Sequence, residues 1–312
     1  MDLNPQNSTW SIVLAGGEGE RIRPLVTRWL GRHKPKQYCR FTGKRSMLEH
    51  TLDRADRISG LERKVTIIAR SHRQEVGPQF EQHASGIVVE QPSNRDTAAG
   101  IFLPLTIVRA RDPQATVVVF PSDHFVYPEE RFLNSVRRAV SAAERLGDRL
   151  VLLGVAPDAI EVDYGWIRPG EHLCYVNGSP VRRVDGFCEK PGYEEAKAAH
   201  EAGGLWNTLI FAARVETLWR MGWKYVPEIM PQFEELCAAI DGLNEPSLLD
   251  DIYSEMPKRN FSSDLLSRAV SEIAVVEMDG VRWSDWGRPE RIVTTLSEMG
   301  KQPAFPLHYL VT

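Results

Sequence analysis

Apolar residues in this chain fall into short runs that alternate with stretches of helical periodicity. Runs of the strand type lie at Ile12–Ala15, Val65–Ala69, Ile87–Val89, Thr116–Phe120 and Arg149–Val155. Between several of them, Met47–Arg57, Thr97–Arg111 and Arg131–Leu146 repeat apolar residues at three- and four-residue spacing. Such β–α alternation predicts a mainly parallel sheet with helices on both faces. After about Ala156 the rhythm changes. Asp163–Ile167 and Val181–Cys188 read as strands around Gly/Pro turns, Tyr193–Ala202 as a helix and Leu205–Ala213 as a strand. Val215–Tyr253 reads as mostly helical, and Ile273–Val276 closes the strands. This second half has an α+β pattern expected to extend the same sheet. No repeat, low-complexity linker or β-helix hexapeptide interrupts it. One continuous domain over 1–312 is predicted, with a first half at about 10–155, a second at about 156–295 and a tail at 296–312.

Composition narrows the class. At 312 residues, with 42% hydrophobic and 26% charged positions, the chain can bury a large core. The stretch M-D-L-N-P-Q-N-S-T-W is polar and lacks the apolar core of a secretion signal, and no apolar run approaches a membrane span. Cys39, Cys174, Cys188 and Cys237 are scattered without a C-x-x-C pair, which argues against a zinc site or a disulfide framework. A soluble protein of the reducing cytoplasm is expected.

Charge and glycine then single out one end of the sheet. Ser11–Pro24 reads S-I-V-L-A-G-G-E-G-E-R-I-R-P, a strand that breaks into Gly16, Gly17 and Gly19 and then into Arg21 and Arg23. Glycines let backbone N–H groups approach a ligand closely, and a strand-to-helix turn gathers them into an anion site. The segment lacks the Gly-Lys-Ser/Thr of a Walker A loop, and Ile22 stands where a dinucleotide loop wants its third glycine. From Arg21 to Arg45 there are nine Lys or Arg and no acid, in a chain of net charge -4. A polyphosphate cradle explains this excess better than a solvated loop or a nucleic-acid patch, because the glycine turn leads directly into the charges. Further along, Pro35-Lys36-Gln37 offers a mobile point charge. Asp123, just past the strand ending at Phe120, is placed either to hold Mg²⁺ or to cap a helix. His124 beside it reads as structural or base-stacking. Glu189-Lys190 follows another strand, and Asp285 lies between Trp283 and Trp286. Two distant carboxylates sharing one divalent ion, with Lys190 and Arg21 around it, is what phosphoryl or nucleotidyl transfer requires.

In this order the motifs resemble those of the sugar-1-phosphate nucleotidylyltransferases, within them the mannose-1-phosphate guanylyltransferases. The resemblance runs from about Ile12 to Ile292. It rests on Leu14–Leu25, Lys34–Gln37, Ser46–Leu48, Gln91–Ala99, Pro121–His124, Asp163–Ile167, Glu189–Pro191, Trp206-Asn207 and Trp283–Asp285. It implies a Rossmann-like mixed, mainly parallel sheet flanked by helices, of the nucleotide-diphospho-sugar transferase type, without a C-terminal β-helix. It implies the reaction of an NTP (GTP favoured) with a hexose 1-phosphate (mannose 1-phosphate favoured) to give NDP-hexose and pyrophosphate. The implied cofactor is Mg²⁺, held by Asp123 and Asp285. Arg21, Lys36 and Lys190 would be the catalytic cations. Leu14, Ala15, Gly16, Gly17, Gly19, Gln91, Arg95, Thr97 and Ala98 would bind nucleotide. Gly165, Glu189, Lys190 and Asn207 would bind the sugar phosphate.

Four positions depart from the guanylyltransferase pattern. Glu20 stands where threonine is common, Gln91 where glutamate is frequent, Asp96 for an asparagine and Leu209 for a glycine. Glu20 is expected to point outward, to pair with a nearby arginine, or to weaken nucleotide binding. The competing readings are the same chemistry on another NTP or hexose 1-phosphate, and a catalytically silent relative that binds nucleotide sugars. Neither a nucleic-acid nor a membrane partner is expected, and a homo-oligomer is left open.

Overall fold

The computed structural model describes residues 8–81 and 83–310; most of the polar N-terminal stretch and the end of the tail lie outside them. Eleven strands and ten α-helices follow one another. They are β1 (Thr9–Ala15), α1 (Arg23–Leu30), α2 (Met47–Asp56), β2 (Lys64–Ala69), α3 (Arg73–Phe80), β3 (Ile87–Gln91), α4 (Asp96–Arg111), β4 (Thr116–Pro121), β5 (Phe125–Tyr127), α5 (Glu129–Leu146) and β6 (Leu150–Val155). The second half adds β7 (Gly165–Val176), β8 (Ser179–Glu189), α6 (Tyr193–Glu201), β9 (Leu205–Arg214), α7 (Val215–Tyr225), α8 (Met230–Ala239), α9 (Glu245–Glu255), β10 (Ile273–Glu277), β11 (Arg282–Ser284) and α10 (Pro289–Glu298).

Nine strands form one sheet in the order β3-β2-β1-β4-β9-β6-β10-β8-β7. Their pairings make all but β8 and β9 run in one direction, so the sheet is mixed and mainly parallel, as the alternation predicts. The second half does extend the first half's sheet rather than starting another. No β-helix follows it among the described residues. Successive side chains along each strand enter opposite cores. Ile12, Val117, Val119 and Leu152 join the layer packed under α4, α7 and α8, while Val13, Val118, Phe120 and Leu153 join the layer under α2 and α5. Helix α4 is buried from Ala98 to Val108, and Phe102 on it meets the rings of Trp219, Phe233 and Phe261. Helix α2 starts where Ser46 and Glu49 form a reciprocal capping box. No helix among the described residues is long and apolar enough to cross a membrane.

Two expectations were too short and two helices went unpredicted. β7 and β8 form a long hairpin reaching Val176 and Ser179, beyond the strand read at Asp163–Ile167. Gly77 and Pro78 inside α3 hide its helical pattern, and α10 begins on a proline, Pro289. A small second sheet matters most for the site. β11 pairs antiparallel with β5, Ser284 opposite Phe125, which sets the segment containing Asp285 against the one containing Asp123.

Candidate active site

The glycine turn leaves the end of β1 at the sheet's carboxyl edge, where α/β sheets present ligands. It is held from below by residues 36–38. Gln37 Nε2 donates to Ala15 O (2.9 Å) and Gly17 O (2.7 Å), and Tyr38 Oη donates to Ala15 O (2.7 Å). Gly19 has φ +67°, and a Cβ there would lie 2.8 Å from Lys36 N, so glycine is required on both counts. Gly17 differs: a Cβ there would meet nothing within 4 Å, which leaves its backbone open to solvent. The loop enters α1 through a 3₁₀ turn at Glu20–Ile22.

The second sheet and this loop bring Arg21, Lys36, Asp123 and Asp285 together. Lys36 is buried, and its Nζ donates to Asp123 Oδ2 at 2.7 Å and to the backbone oxygen of Asp285. Arg21 pairs with Asp285 Oδ2 at 2.7 Å. The other oxygen of Asp285, Oδ1, accepts from Tyr164 Oη (2.7 Å), Arg291 (2.8 Å) and Gly287 N (2.9 Å). Burial alone would raise both carboxyls. Lys36 and Arg21 outweigh it at Asp285, and Lys36 and His124 outweigh it at Asp123, so both are held below the usual carboxylate range and ionised. Burial pushes His124 down to about 4. The imidazole is therefore neutral, packed edge-to-face on Trp283 with centroids 5.1 Å apart, in keeping with a structural role.

A second group forms beside the first. A Cβ on Gly165 would lie 2.7 Å from Glu189 Oε2 and 3.2 Å from Asn207 Cβ, so these three converge. Asn207 gets there through a bulge: between Asn207 and Phe211, β9 spends four residues where β6 spends two. Burial raises the Glu189 carboxyl, against the pull of Lys190. Tyr164 joins the two groups, since its hydroxyl holds Asp285 while its backbone oxygen accepts from Lys190 N at 3.2 Å. Left-handed backbone at non-glycine residues gathers here too, at Asp96, Lys190, Leu209 and Trp286.

Gly16, Gly17, Leu14 and Gln91 line a cavity of about 300 Å³ together with Asn94, Asp96, Thr97 and Lys258. Arg95, Thr97 and Ala98 also make contacts within the chain. The Arg95 guanidinium donates to Tyr253 O (2.8 Å) and Ser254 O (2.9 Å), Thr97 Oγ1 accepts from Phe261 N (2.8 Å) and Ala98 N donates to Arg259 O (3.0 Å). These polar groups fasten chain segments to each other. Glu20 is exposed and bound to Arg23 at 3.2 Å, the outward-pairing outcome. Of the nine cations from Arg21 to Arg45, at least seven pair with carboxylates of the described residues, among them Glu75, Glu49 and Asp53 from neighbouring helices. That leaves little of the excess as a free surface for nucleic acid. Sequence reasoning missed Tyr164, Arg291 and Lys258. Tyr164 lay inside a quoted motif, but nothing in the spacing signalled Arg291 or Lys258.

Residues 10–302 match the nucleotidyl transferase family model. A mannose-1-phosphate guanylyltransferase of Escherichia coli K12 is 31% identical over 288 residues, covering 90% of this chain and 58% of the relative. The mannose-1-phosphate guanylyltransferase ManC of Salmonella typhimurium is 30% identical with the same coverage. The chain thus spans under two thirds of the length of the curated relatives it matches. Among solved structures, a Thermus thermophilus protein described as a mannose-1-phosphate geranyltransferase is 27% identical, with TM-score 0.78 over 95% of this chain and 80% of that one. The Thermotoga maritima inositol-1-phosphate CTP transferase, at 14% identity and TM-score 0.59 over 95% and 96%, shares the fold. The chain belongs to the nucleotidyl transferase family.

Proposed function

We propose that this family member transfers a nucleotidyl group from an NTP to a hexose 1-phosphate, releasing pyrophosphate, with GTP and mannose 1-phosphate as the favoured pair. The observation that carries the reading is the meeting of the glycine turn, Lys36, Arg21, Asp123 and Asp285 at one edge of the sheet. The open backbone at Gly17 suits phosphate oxygens, and Arg21 and Lys36 would neutralise the departing pyrophosphate. Mg²⁺ fits the donor set: two ionised, hard carboxylates at Asp123 and Asp285, on segments that Lys36 bridges through the Asp123 side chain and the Asp285 backbone, match an ion that takes few protein ligands. When bound there it would supply charge neutralisation at the reacting phosphate. Lys190 would grip the sugar phosphate, with Gly165, Glu189 and Asn207 on the hydroxyls. The sugar phosphate is its own nucleophile, so no activated serine or cysteine is needed.

Gln91 favours a particular kind of base. Its Nε2 donates to Ser93 O at 2.8 Å, and because a carbonyl only accepts, Oε1 is left facing Gly16 and Gly100. The side chain thus offers the cavity an acceptor, as a glutamate would, which suits the ring N–H of guanine. The chemistry and the free thiols of the cysteines support action in the cytoplasm. A pyrophosphate-release screen of five NTPs against several hexose 1-phosphates tests the proposal. GTP with mannose 1-phosphate should give the fastest Mg²⁺-dependent release, and no release from any pair would refute it.

A further inference from the structure

The segment between α9 and the π-helical turn at Phe261–Leu266 carries no motif, yet it is strapped to the start of α4. Ala98 N donates to Arg259 O (3.0 Å) and Arg259 N to Arg95 O (3.3 Å). Phe261 N donates to Thr97 Oγ1 (2.8 Å), and Asn260 Nδ2 to Asp96 Oδ1 (3.1 Å). Arg95, Thr97 and Ala98, which the resemblance assigns to the nucleotide, together with Asp96 therefore fix the position of this strap.

What the strap delivers is Lys258. Among the described residues it is the one cation lining the 300 Å³ cavity with Gly16, Gly17 and Gln91. Its ammonium is exposed and has no hydrogen-bond or ion-pair partner among the described residues. An ammonium has donors only, whereas Gln91 turns an acceptor into the same cavity. We infer that Lys258 is a specificity-determining residue that reads the base, donating to a ring keto oxygen while Gln91 Oε1 accepts the adjacent ring N–H. This inference rests on the nucleotide reading of the cavity given above. The edge it selects is that of guanine, uracil and thymine. Adenine and cytosine present the reverse pattern, an acceptor nitrogen beside an amino group, and would set donor against donor and acceptor against acceptor.

The test is equilibrium binding of GTP, UTP, dTTP, ATP and CTP to the full chain and to its Lys258→Met and Lys258→Arg variants. The wild type should prefer the three keto bases. Lys258→Met should weaken those three about 10- to 100-fold, the worth of one charged hydrogen bond, and leave ATP and CTP unchanged. Lys258→Arg should retain the preference. Equal weakening for all five would make Lys258 a phosphate contact and overturn the inference, as would no weakening at all. A wild type that binds ATP and CTP as tightly as the keto set overturns it while leaving the transfer reaction standing. A wild type that binds none of the five defeats the nucleotide reading itself, a result told apart because it needs no variant.

Discussion

Arg21 and Asp285, 264 residues apart in sequence, form a 2.7 Å ion pair in which only the carboxylate is buried. The Asp285 side chain is 7% exposed and that of Arg21 is 53% exposed. Three other donors hold Oδ1, but Arg21 alone holds Oδ2. Lys36 likewise pairs with Asp123, but there the cation is the buried member, its side chain 4% exposed against 37% for the carboxylate. Each carboxylate proposed for the metal is thus occupied by a cation proposed for the pyrophosphate. On the proposed reading, binding of metal and phosphate would exchange these partners, metal for cation at the carboxylates and phosphate for carboxylate at the cations.

This exchange gives Arg21→Ala effects of opposite sign. With Oδ2 freed, Mn²⁺ used as a probe should bind the nucleotide-free chain several-fold more tightly, while NTP binds more weakly. Paired titrations of metal and nucleotide check this, and two shifts in the same direction would rule out the exchange.

Gly17 and Gly19 should separate binding from folding. Gly19→Ala forces a left-handed alanine against Lys36 N and should cost roughly 1–2 kcal/mol or more of stability in thermal or denaturant unfolding. Gly17→Ala has room for its methyl, so stability should hold while KM for the NTP rises. An unchanged KM would remove Gly17 from the phosphate cradle.

Asp96→Asn should strengthen nucleotide binding without loss of stability. Asp96 has φ +68°, which asparagine adopts readily, and its Oδ1 bonds to Asn260 and Thr97 survive the change. The substitution removes one negative charge from the cavity wall, so a several-fold tighter Kd for NTP is expected from calorimetry. Weaker binding would show that the carboxylate is needed.

Asp123→Ala and Asp285→Ala should both abolish turnover but differ in stability. Asp285 satisfies Tyr164, Arg291, Arg21 and the Gly287 N–H, so its removal should cost about 3–5 kcal/mol. Asp123 is 37% exposed and serves mainly Lys36, so the loss should be smaller. Equal unfolding midpoints for the two variants would contradict this ranking.

Glu272 supplies a pH-dependent share of stability away from the site. Burial would raise its carboxyl, but Lys224, Tyr225 and Arg220 pull it down to about 2. A carboxyl depressed on folding stabilises above its unfolded pKa and loses that contribution as pH falls through the folded value. The contribution, roughly 1–2 kcal/mol given two half-exposed cationic partners, should fade between about pH 4.5 and 2. Glu272→Gln should flatten that limb of the stability profile, and an unchanged limb would show that other carboxyls carry it.

Much of this was legible in the chain because strand and helix formation depend on neighbours a few residues apart. Period-two and buried runs located the strands of the main sheet, and the glycine turn marked its ligand edge. What failed was also local in cause. α3 contains Gly77 and Pro78, which mask its period, and the nine-residue basic excess looked free only because its acids come from Glu49, Asp53, Glu75, Asp123 and Asp285. No sequence pattern reveals that residues 259–261 arrive beside Thr97 and Ala98.

The sequence by itself determined the alternation of elements, the phosphate-suited turn and the list of charges available to a site. Tertiary structure alone decided which charges meet: the pairing of β5 with β11 that opposes Asp123 to Asp285, the tyrosine that joins the two groups of site residues and the strap that carries Lys258. The reason is physical. Backbone conformation follows short-range sterics and periodicity, whereas an ion pair across 264 residues exists only once the sheet order has been fixed by burial of both its faces.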